Sequence, residues 1–134
     1  KRELEAGIGT RTGSRRKQNL RKVGSEKEAS VRDYLQKNGY EILCTNFFSR
    51  HGEIDIIAQK DGYLIFIEVK YRSDSTFGTP EEAVTLSKQR HIIAAAKYYL
   101  YRNGLSFSMP CRFDVVGVAG EEIRVTENAF WLYP

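Results

Sequence analysis

The spacing of apolar and polar residues predicts two helices. Apolar residues at helical spacing predict a first helix over residues 25–38, with Ser25 as its N-cap and Asn38-Gly39 as its C-terminal stop. A second helical region begins at Thr79-Pro80, where proline fits the first helical position, and continues as a long helix over residues 85–102. Its apolar stripe indicates a helix packed on one side against a core.

Five further segments are rich in β-forming residues and predict the strands of a sheet: residues 40–48, 52–58, 64–70, 112–118 and 122–126. Alternation of these segments with the helices predicts an α/β fold. The chain has 134 residues, of which 41% are hydrophobic, which is enough for one core. We therefore expect a single domain over residues 25–134.

The second and third strand segments carry charges at positions that a hairpin brings together. Asp61-Gly62 lies between them and predicts a two-residue type I′ turn. In that register Asp55 faces Glu68, with Cβ atoms about 4.5 to 5.5 Å apart. Side chains alternate between the faces of a strand, so four charged residues are predicted to project from one face: Glu53, Asp55, Glu68 and Lys70.

Two facing carboxylates require a compensating charge. Unit charges about 4 Å apart at an effective dielectric near 20 repel by roughly 4 kcal/mol, and a divalent cation offsets this better than one lysine. The pattern therefore favours a metal site at Asp55 and Glu68. The alternative is an exposed strand face on which Glu53 and Glu68 pair with Lys70 or Arg72, worth under about 1 kcal/mol.

Three motifs occur in order along the chain: Gly-Glu-Ile-Asp at 52–55, Ile-Glu-Val-Lys at 67–70 and Arg-Phe-Asp-Val-Val at 112–116. Together they resemble the YraN family of small bacterial proteins, which is similar to archaeal Holliday-junction resolvases and to PD-(D/E)xK nucleases. The resemblance covers roughly residues 24–134. It implies a restriction-endonuclease-like α/β fold, in which a central mixed β-sheet of about five strands is flanked by helices.

The resemblance also implies a site. Asp55, Glu68 and Lys70 take the catalytic positions, with Mg²⁺ or Mn²⁺ held by the two acids and branched or structured DNA as the substrate. In such chemistry the metal polarises a phosphate and activates water. Lys70, beside two acids, is expected to stay protonated and to stabilise charge. The alternative function is a DNA-binding accessory protein with a vestigial nuclease site.

Further residues carry over from the resemblance. Glu28 becomes a third metal ligand on the first helix, but Ser25-x-x-Glu28 is also a capping box in which Glu28 only satisfies main-chain amides. Gln89 matches a polar catalytic position on the helix that follows the catalytic strand, and Lys88 beside it is expected to contact phosphate. For both residues, a solvated helix face is the open alternative.

The positive charge of the chain is concentrated at its start. Residues 1–24 contain eight Lys or Arg and two Glu, a net charge of +6, while the whole chain carries +4. This segment lacks hydrophobic periodicity and predicts a flexible basic tail. Three of its residues are candidate contacts to DNA phosphates: Arg15, Arg16 and Lys17. A disordered or processed leader is the alternative.

Other residues favour structural roles. Asp114 lies in an apolar strand and is expected to pair with Arg112 on the same face. Cys44 and Cys111 are expected to be buried thiols in a cytoplasmic protein.

No apolar run reaches the roughly 18 residues of a membrane span, so no membrane partner is expected. His51 and His91 are interpreted as isolated. A homodimer is possible, because symmetric cuts in a junction need two sites.

Overall fold

A computed structural model describes the main chain of residues 15–72, 77–79 and 83–130, with side chains from residue 24 onward. Two helices and five strands follow one another in this order: α1 (Arg15–Lys37), β1 (Glu41–Ser49), β2 (Gly52–Lys60), β3 (Tyr63–Arg72), α2 (Leu86–Arg102), β4 (Cys111–Ala119) and β5 (Glu122–Phe130). No described helix has the length and apolar character needed to cross a membrane.

The five strands form one sheet in the order β1-β2-β3-β4-β5. Strands β3 and β4 are parallel, because α2 connects them by a crossover, and the other neighbouring pairs are antiparallel. The prediction of an α/β fold with a five-stranded mixed sheet flanked by helices is confirmed. This arrangement is compatible with the restriction-endonuclease-like fold.

The helices cover opposite faces of the sheet. On one face, Tyr99 and Leu100 of α2 pack with Phe47 and Phe66 in one apolar cluster. On the other face, Val31 and Leu35 of α1 pack with a second cluster that contains Ile56, Ile65 and Ile67. Each large apolar side chain that is fully buried stabilises the fold by about 1.5 to 3 kcal/mol. The sheet is therefore the central layer between the two helices.

The β2–β3 hairpin has the predicted register. Lys60 pairs with Tyr63, and Ile57 pairs with Phe66. Asp61 and Gly62 have φ angles of 53° and 82°, as the two central residues of a type I′ turn require. Regular pairing runs only as far as Ile56 and Ile67. Beyond these residues the strands part, which creates an opening beside Asp55.

Alternation between the faces of the sheet is interrupted beside this opening. Ile54 and Ile57 are three positions apart, yet both belong to the cluster under α2, while Ile56 belongs to the cluster under α1. In β1, Asn46 has a φ of 52° between the partners of Ile56 and Ile54. The predicted strict alternation therefore fails at Asp55, because the two strands are locally distorted.

The first helix begins at Arg15, earlier than predicted. Residues 15–24, assigned to the flexible tail, have a helical main chain, which their Arg, Lys, Gln and Leu residues favour. Gly24 is accommodated inside the helix at a cost near 1 kcal/mol. Ser25 is then an interior position, so the predicted capping box with Glu28 is wrong. The remainder of the predicted tail, residues 1–14, lies outside the described residues.

The second helix also differs at its start. Thr85 is the N-cap of α2, and its hydroxyl accepts a hydrogen bond from the main-chain N–H of Lys88 at 3.2 Å. The predicted first position, Pro80, lies outside the described residues. At the other end Asn103 is the C-cap and is followed by Gly104 with a φ of 64°, so the predicted stop is confirmed.

Asp114 is fully buried in β4, and its predicted pairing with Arg112 is confirmed. The Arg112 guanidinium donates two hydrogen bonds, Nε to Oδ1 at 2.9 Å and Nη2 to Oδ2 at 2.8 Å. Tyr40 donates its hydroxyl to Oδ2 at 2.8 Å, and the N–H of Asn128 donates to Oδ1 at 3.0 Å. Burial and the bond to Asp114 raise the pKa of Tyr40. These contacts join β4 to β5 and to the chain after α1.

Cys44 and Cys111 form no disulfide bond within the described part of the chain. Cys44 is buried under α2, while Cys111 at the start of β4 is half-buried. Burial raises the pKa of the Cys111 thiol. Both thiols therefore act as small apolar groups of the sheet.

Candidate metal centre

Asp55 and Glu68 lie side by side where β2 and β3 separate. The Asp55 carboxylate accepts a hydrogen bond from the main-chain N–H of Val69 through Oδ2, at 2.8 Å. Glu68 lies on the neighbouring strand, just beyond the last regular pair of Ile56 and Ile67, and is close enough for the charge of Asp55 to raise its pKa. The bond from Val69 holds one oxygen of Asp55 and fixes the orientation of this carboxylate.

A cavity of about 290 Å³ opens from these two acids toward α1. We call it the acidic cavity. Asp55 and Glu68 line it from the sheet, and Glu28 lines it from α1. Because Ser25 does not cap the helix, Glu28 lies on an exposed helix face rather than in a capping box. The three predicted metal ligands therefore border one cavity.

The surroundings of Glu68 favour its protonated form. Its side chain is only 12% exposed, and burial is the main reason that its pKa is raised from 4.5 to about 8. The nearby charge of Asp55 raises the pKa further, while Lys88 opposes the shift. Without a cation, the pair therefore keeps a proton at neutral pH.

The pKa values of two neighbouring groups are also raised, and the acids of the cavity contribute to both shifts. Burial raises the pKa of Glu53, and the charges of Asp55 and Glu28 add to this effect. Burial, Glu28 and Asp55 likewise raise the pKa of the Tyr71 hydroxyl. The acids that add to the effect of burial lie on two elements, Asp55 on β2 and Glu28 on α1, so negative charge reaches this region from both walls of the cavity.

Lys88 approaches the acids from the first turn of α2. Its Nζ lies 3.5 Å from Oε2 of Glu68. Its predicted contact with phosphate remains a prediction. The Gln89 side chain bonds to the main chain instead of approaching the acids. Its Nε2 donates a hydrogen bond to the main-chain oxygen of Val84 at 3.1 Å. Gln89 is not among the described residues that line the acidic cavity.

Lys70 is separated from the acidic cavity. It follows Glu68 by two positions on β3, but it lines a different cavity, together with Arg72, Gly117 and Arg124. The predicted group of four charges on one face is therefore divided. The break in alternation at Asp55 explains this, because the acids meet in the opening between strands while Lys70 stays on the regular surface of β3.

The basic residues predicted to bind DNA lie at the start of α1. Arg15, Arg16 and Lys17 form its first turn, but their side chains lie outside the described residues. Their role in phosphate binding remains a prediction.

The donor set fits a hard divalent cation. Within residues 24–72, 77–79 and 83–130, no three acidic, His or Cys side chains converge on one point as a closed metal site requires. Mg²⁺ needs less, since proteins hold it through one or two carboxylates while water and substrate phosphates complete the shell. Asp55 and Glu68 supply two such carboxylates. A bound cation would offset the repulsion between them.

Several residues of this region were missed from the sequence. Arg32, Asn46 and Tyr71 also line the acidic cavity. Strand alternation would place Tyr71, three residues beyond Glu68, on the opposite face of β3, so local spacing did not indicate its position. His51 and His91, interpreted as isolated, line one surface cavity together beside the β1–β2 turn. They are distant in sequence, so only the packing of α2 against that turn brings them together.

Comparison with known proteins assigns the family. A family model described as Uncharacterised protein family UPF0102 matches residues 27–118. The chain belongs to this family, the YraN family. The predicted resemblance is thereby confirmed.

Relatives in the YraN family match over most of their length. A UPF0102 protein of Lachnoclostridium phytofermentans is 52% identical over 115 residues, covering 86% of this chain and 98% of the relative. One of Chromohalobacter salexigens is 46% identical, covering 82% and 94%. UPF0102 protein STH1475 of Symbiobacterium thermophilum is also 46% identical, covering 82% and 97%. These names state no activity, so a function must be argued from the site.

Proposed function

We propose that this YraN family member is a Mg²⁺-dependent nuclease that hydrolyses phosphodiester bonds in branched or otherwise structured DNA. The observation that carries the proposal is the pair of Asp55 and Glu68, which line one cavity from adjacent strands; burial and the charge of Asp55 raise the pKa of Glu68 to about 8. Two acids forced together in this way are poorly explained by stability alone, because facing like charges are destabilising.

The residues of the cavity have distinct tasks in this proposal. A divalent ion, when bound, polarises the phosphate and lowers the pKa of a bound water. The main-chain N–H of Val69 orients Asp55, which leaves its other oxygen for the cation. Partial burial of Glu68 strengthens its interaction with a cation, since the effective dielectric is lower than in water. Glu28 adds negative charge from the opposite wall.

Lys88 contributes a positive charge beside Glu68. In the absence of a cation its ammonium partly neutralises Glu68 across 3.5 Å. The Lys88 side chain is about half exposed, at 47%, so it is free to turn toward a phosphate when a cation takes its place. Its position beside Glu68 supports a role in charge stabilisation.

Cleavage assays test the proposal directly. The protein is incubated with four-way junction, flap, single-stranded and duplex DNA in the presence of Mg²⁺ or Mn²⁺. We expect cleavage of a branched substrate that is lost in EDTA and reduced by at least about 100-fold in Asp55→Asn and Glu68→Gln. Lys37→Gln, a surface change at the far end of α1, is the matched control and should cleave normally. Cleavage that is equal in all four proteins would come from a contaminant and would overturn the proposal.

A second function is supported by the ion pair of Lys88 with Glu68 and by the position of Lys70 outside the acidic cavity. Both features suit a DNA-binding accessory protein whose nuclease site is vestigial. This function predicts salt-sensitive DNA binding that persists unchanged in Asp55→Ala, with no cleavage under any metal. Binding and cleavage measured on the same preparations separate the two functions.

A further inference from the structure

A second cavity, of about 150 Å³, lies on the α2 side of strands β3, β4 and β5. We call it the basic cavity, because its described lining contains three cations and no acid: Lys70, Arg72 and Arg124. Lys70 pairs with Gly117 of β4, and Gly117 pairs with Arg124 of β5. The two cations therefore stand on either side of a glycine, about 10 Å apart along the sheet.

Arg72 brings to this cavity a positive charge with an unsatisfied donor. Its Nη2 atom is buried and has no hydrogen-bond partner. Arg72 makes no ion pair among the described residues. Burial of an unpaired charged group is unfavourable, and buried polar groups in native proteins are nearly always paired. Arginine is also well suited to phosphate, because its planar guanidinium donates two parallel hydrogen bonds.

The wall of the basic cavity depends on Gly117. A Cβ atom at this position would come within 2.9 Å of the Phe77 ring, so a larger residue would displace that ring. Arg124 stacks on the same ring at 4.2 Å, which fixes the direction of its guanidinium. Glu122 binds Nε of Arg124 at 3.1 Å from the exposed rim. The glycine and the phenylalanine thus position one of the three cations.

We infer that the basic cavity binds a phosphate group of the DNA backbone, at a position other than the bond that is cut. The inference rests on the proposed function for its choice of ligand, but not on cleavage. In this inference Lys70 binds the DNA substrate and takes no part in the chemistry at Asp55 and Glu68. One DNA phosphate would then lie at the acidic cavity and another in the basic cavity. Holding both would fix the direction in which the DNA crosses the domain.

Inorganic phosphate is the first probe. We expect the melting temperature of the wild-type protein in EDTA to rise with phosphate relative to chloride at equal ionic strength, since a ligand of the folded state stabilises it. Arg72→Met should lose this rise. It should nevertheless melt no lower than wild type in chloride, because it removes an unpaired buried nitrogen. A full phosphate effect in Arg72→Met, or no effect in the wild type, overturns the inference.

DNA binding is the second probe, measured by fluorescence anisotropy of a labelled four-way junction in EDTA. Loss of one phosphate contact lowers affinity about eightfold at 0.1 M salt and reduces the slope of log K against log salt by about 0.9. We expect these changes in Arg72→Gln and Arg124→Gln, while Lys37→Gln serves as the charge-matched control. Gly117→Ala should weaken binding without a change in charge.

The two proposals fail in different ways. If the arginine variants weaken binding as expected but the wild type cuts no DNA, the phosphate site stands and the nuclease function falls. If the wild type cuts DNA but the arginine variants bind like Lys37→Gln, the phosphate site is refuted. A response to inorganic phosphate without any effect on DNA affinity would indicate a site for a free phosphate compound, and it also refutes the inference.

Discussion

Asp55 accepts the main-chain N–H of Val69 at 2.8 Å, across the point where β2 and β3 part. Regular pairing between these strands has ended at Ile56 and Ile67, so a side chain bridges them instead of the main chain. This contact fixes Asp55 beside Glu68 on the neighbouring strand. The separation of the two strands thereby gives the proposed cation site a fixed geometry.

The stability of the metal-free protein should fall as the pH rises toward 8. The pKa of Glu68 is raised in the folded state from 4.5 to about 8, so its contribution to stability is full below about pH 4.5 and is lost as the pH approaches 8. Urea unfolding in EDTA between these values measures the slope. Glu68→Gln should remove this part of the slope, and Glu26→Gln on the exposed face of α1 is the charge-matched control. An identical slope in both variants would contradict the assignment.

Affinity for Mg²⁺ should increase with pH up to about 8. Below its pKa, Glu68 must release a proton before it binds a cation, so the dissociation constant should fall about tenfold per pH unit and level off above pH 8. Isothermal titration calorimetry in buffers of different ionisation enthalpy measures both the affinity and the proton released. Glu68→Gln should bind weakly and without proton release. A flat pH profile in the wild type would speak against Glu68 as a ligand.

Replacement of Lys88 should raise the pKa of Glu68 further. The ammonium favours the charged carboxylate across 3.5 Å, and Lys88→Met removes that support. Titration of the carboxyl carbon of Glu68 by NMR measures the change, with Arg90→Met on α2 as the control. An unchanged or lower pKa in Lys88→Met would show that the ion pair is absent in solution.

The buried network at Asp114 should be among the most sensitive points of the fold. Arg112→Met leaves a buried carboxylate without its main partner and should cost about 3 to 5 kcal/mol. Tyr40→Phe removes one bond to the same carboxylate and should cost about 1.5 to 3 kcal/mol. Glu122→Gln breaks an exposed pair with Arg124 and should cost under about 1 kcal/mol. Urea denaturation measures all three, and equal effects would refute the network.

Ser25 and Glu28 should behave as independent residues. Since α1 runs through Ser25, Ser25→Ala should change stability by no more than about 0.5 kcal/mol, whereas loss of an N-cap costs about 1 kcal/mol. Glu28→Gln should weaken Mg²⁺ binding with little effect on unfolding, because Glu28 lines the acidic cavity. If Ser25→Ala is clearly destabilising and Glu28→Gln leaves Mg²⁺ affinity intact, the capping interpretation is correct.

Two local signals are confirmed by the structure. The turn at Asp61-Gly62 sets the hairpin register because only two residues separate the strands. The pairing of Asp114 with Arg112 follows from two positions on one strand face. The start of α1 was misjudged, since propensity outside an apolar stripe is a weak signal and Gly24 resembled a boundary.

The sequence by itself determined the order of the elements and the family, because these depend on near neighbours in the chain or on motifs. Only the tertiary structure decided that β2 and β3 part beside Asp55, that Lys70 belongs to a different cavity and that Lys88 reaches Glu68 from α2. These relations depend on where strands part and how helices dock on the sheet. Such features arise from packing between distant segments, and no local pattern encodes them.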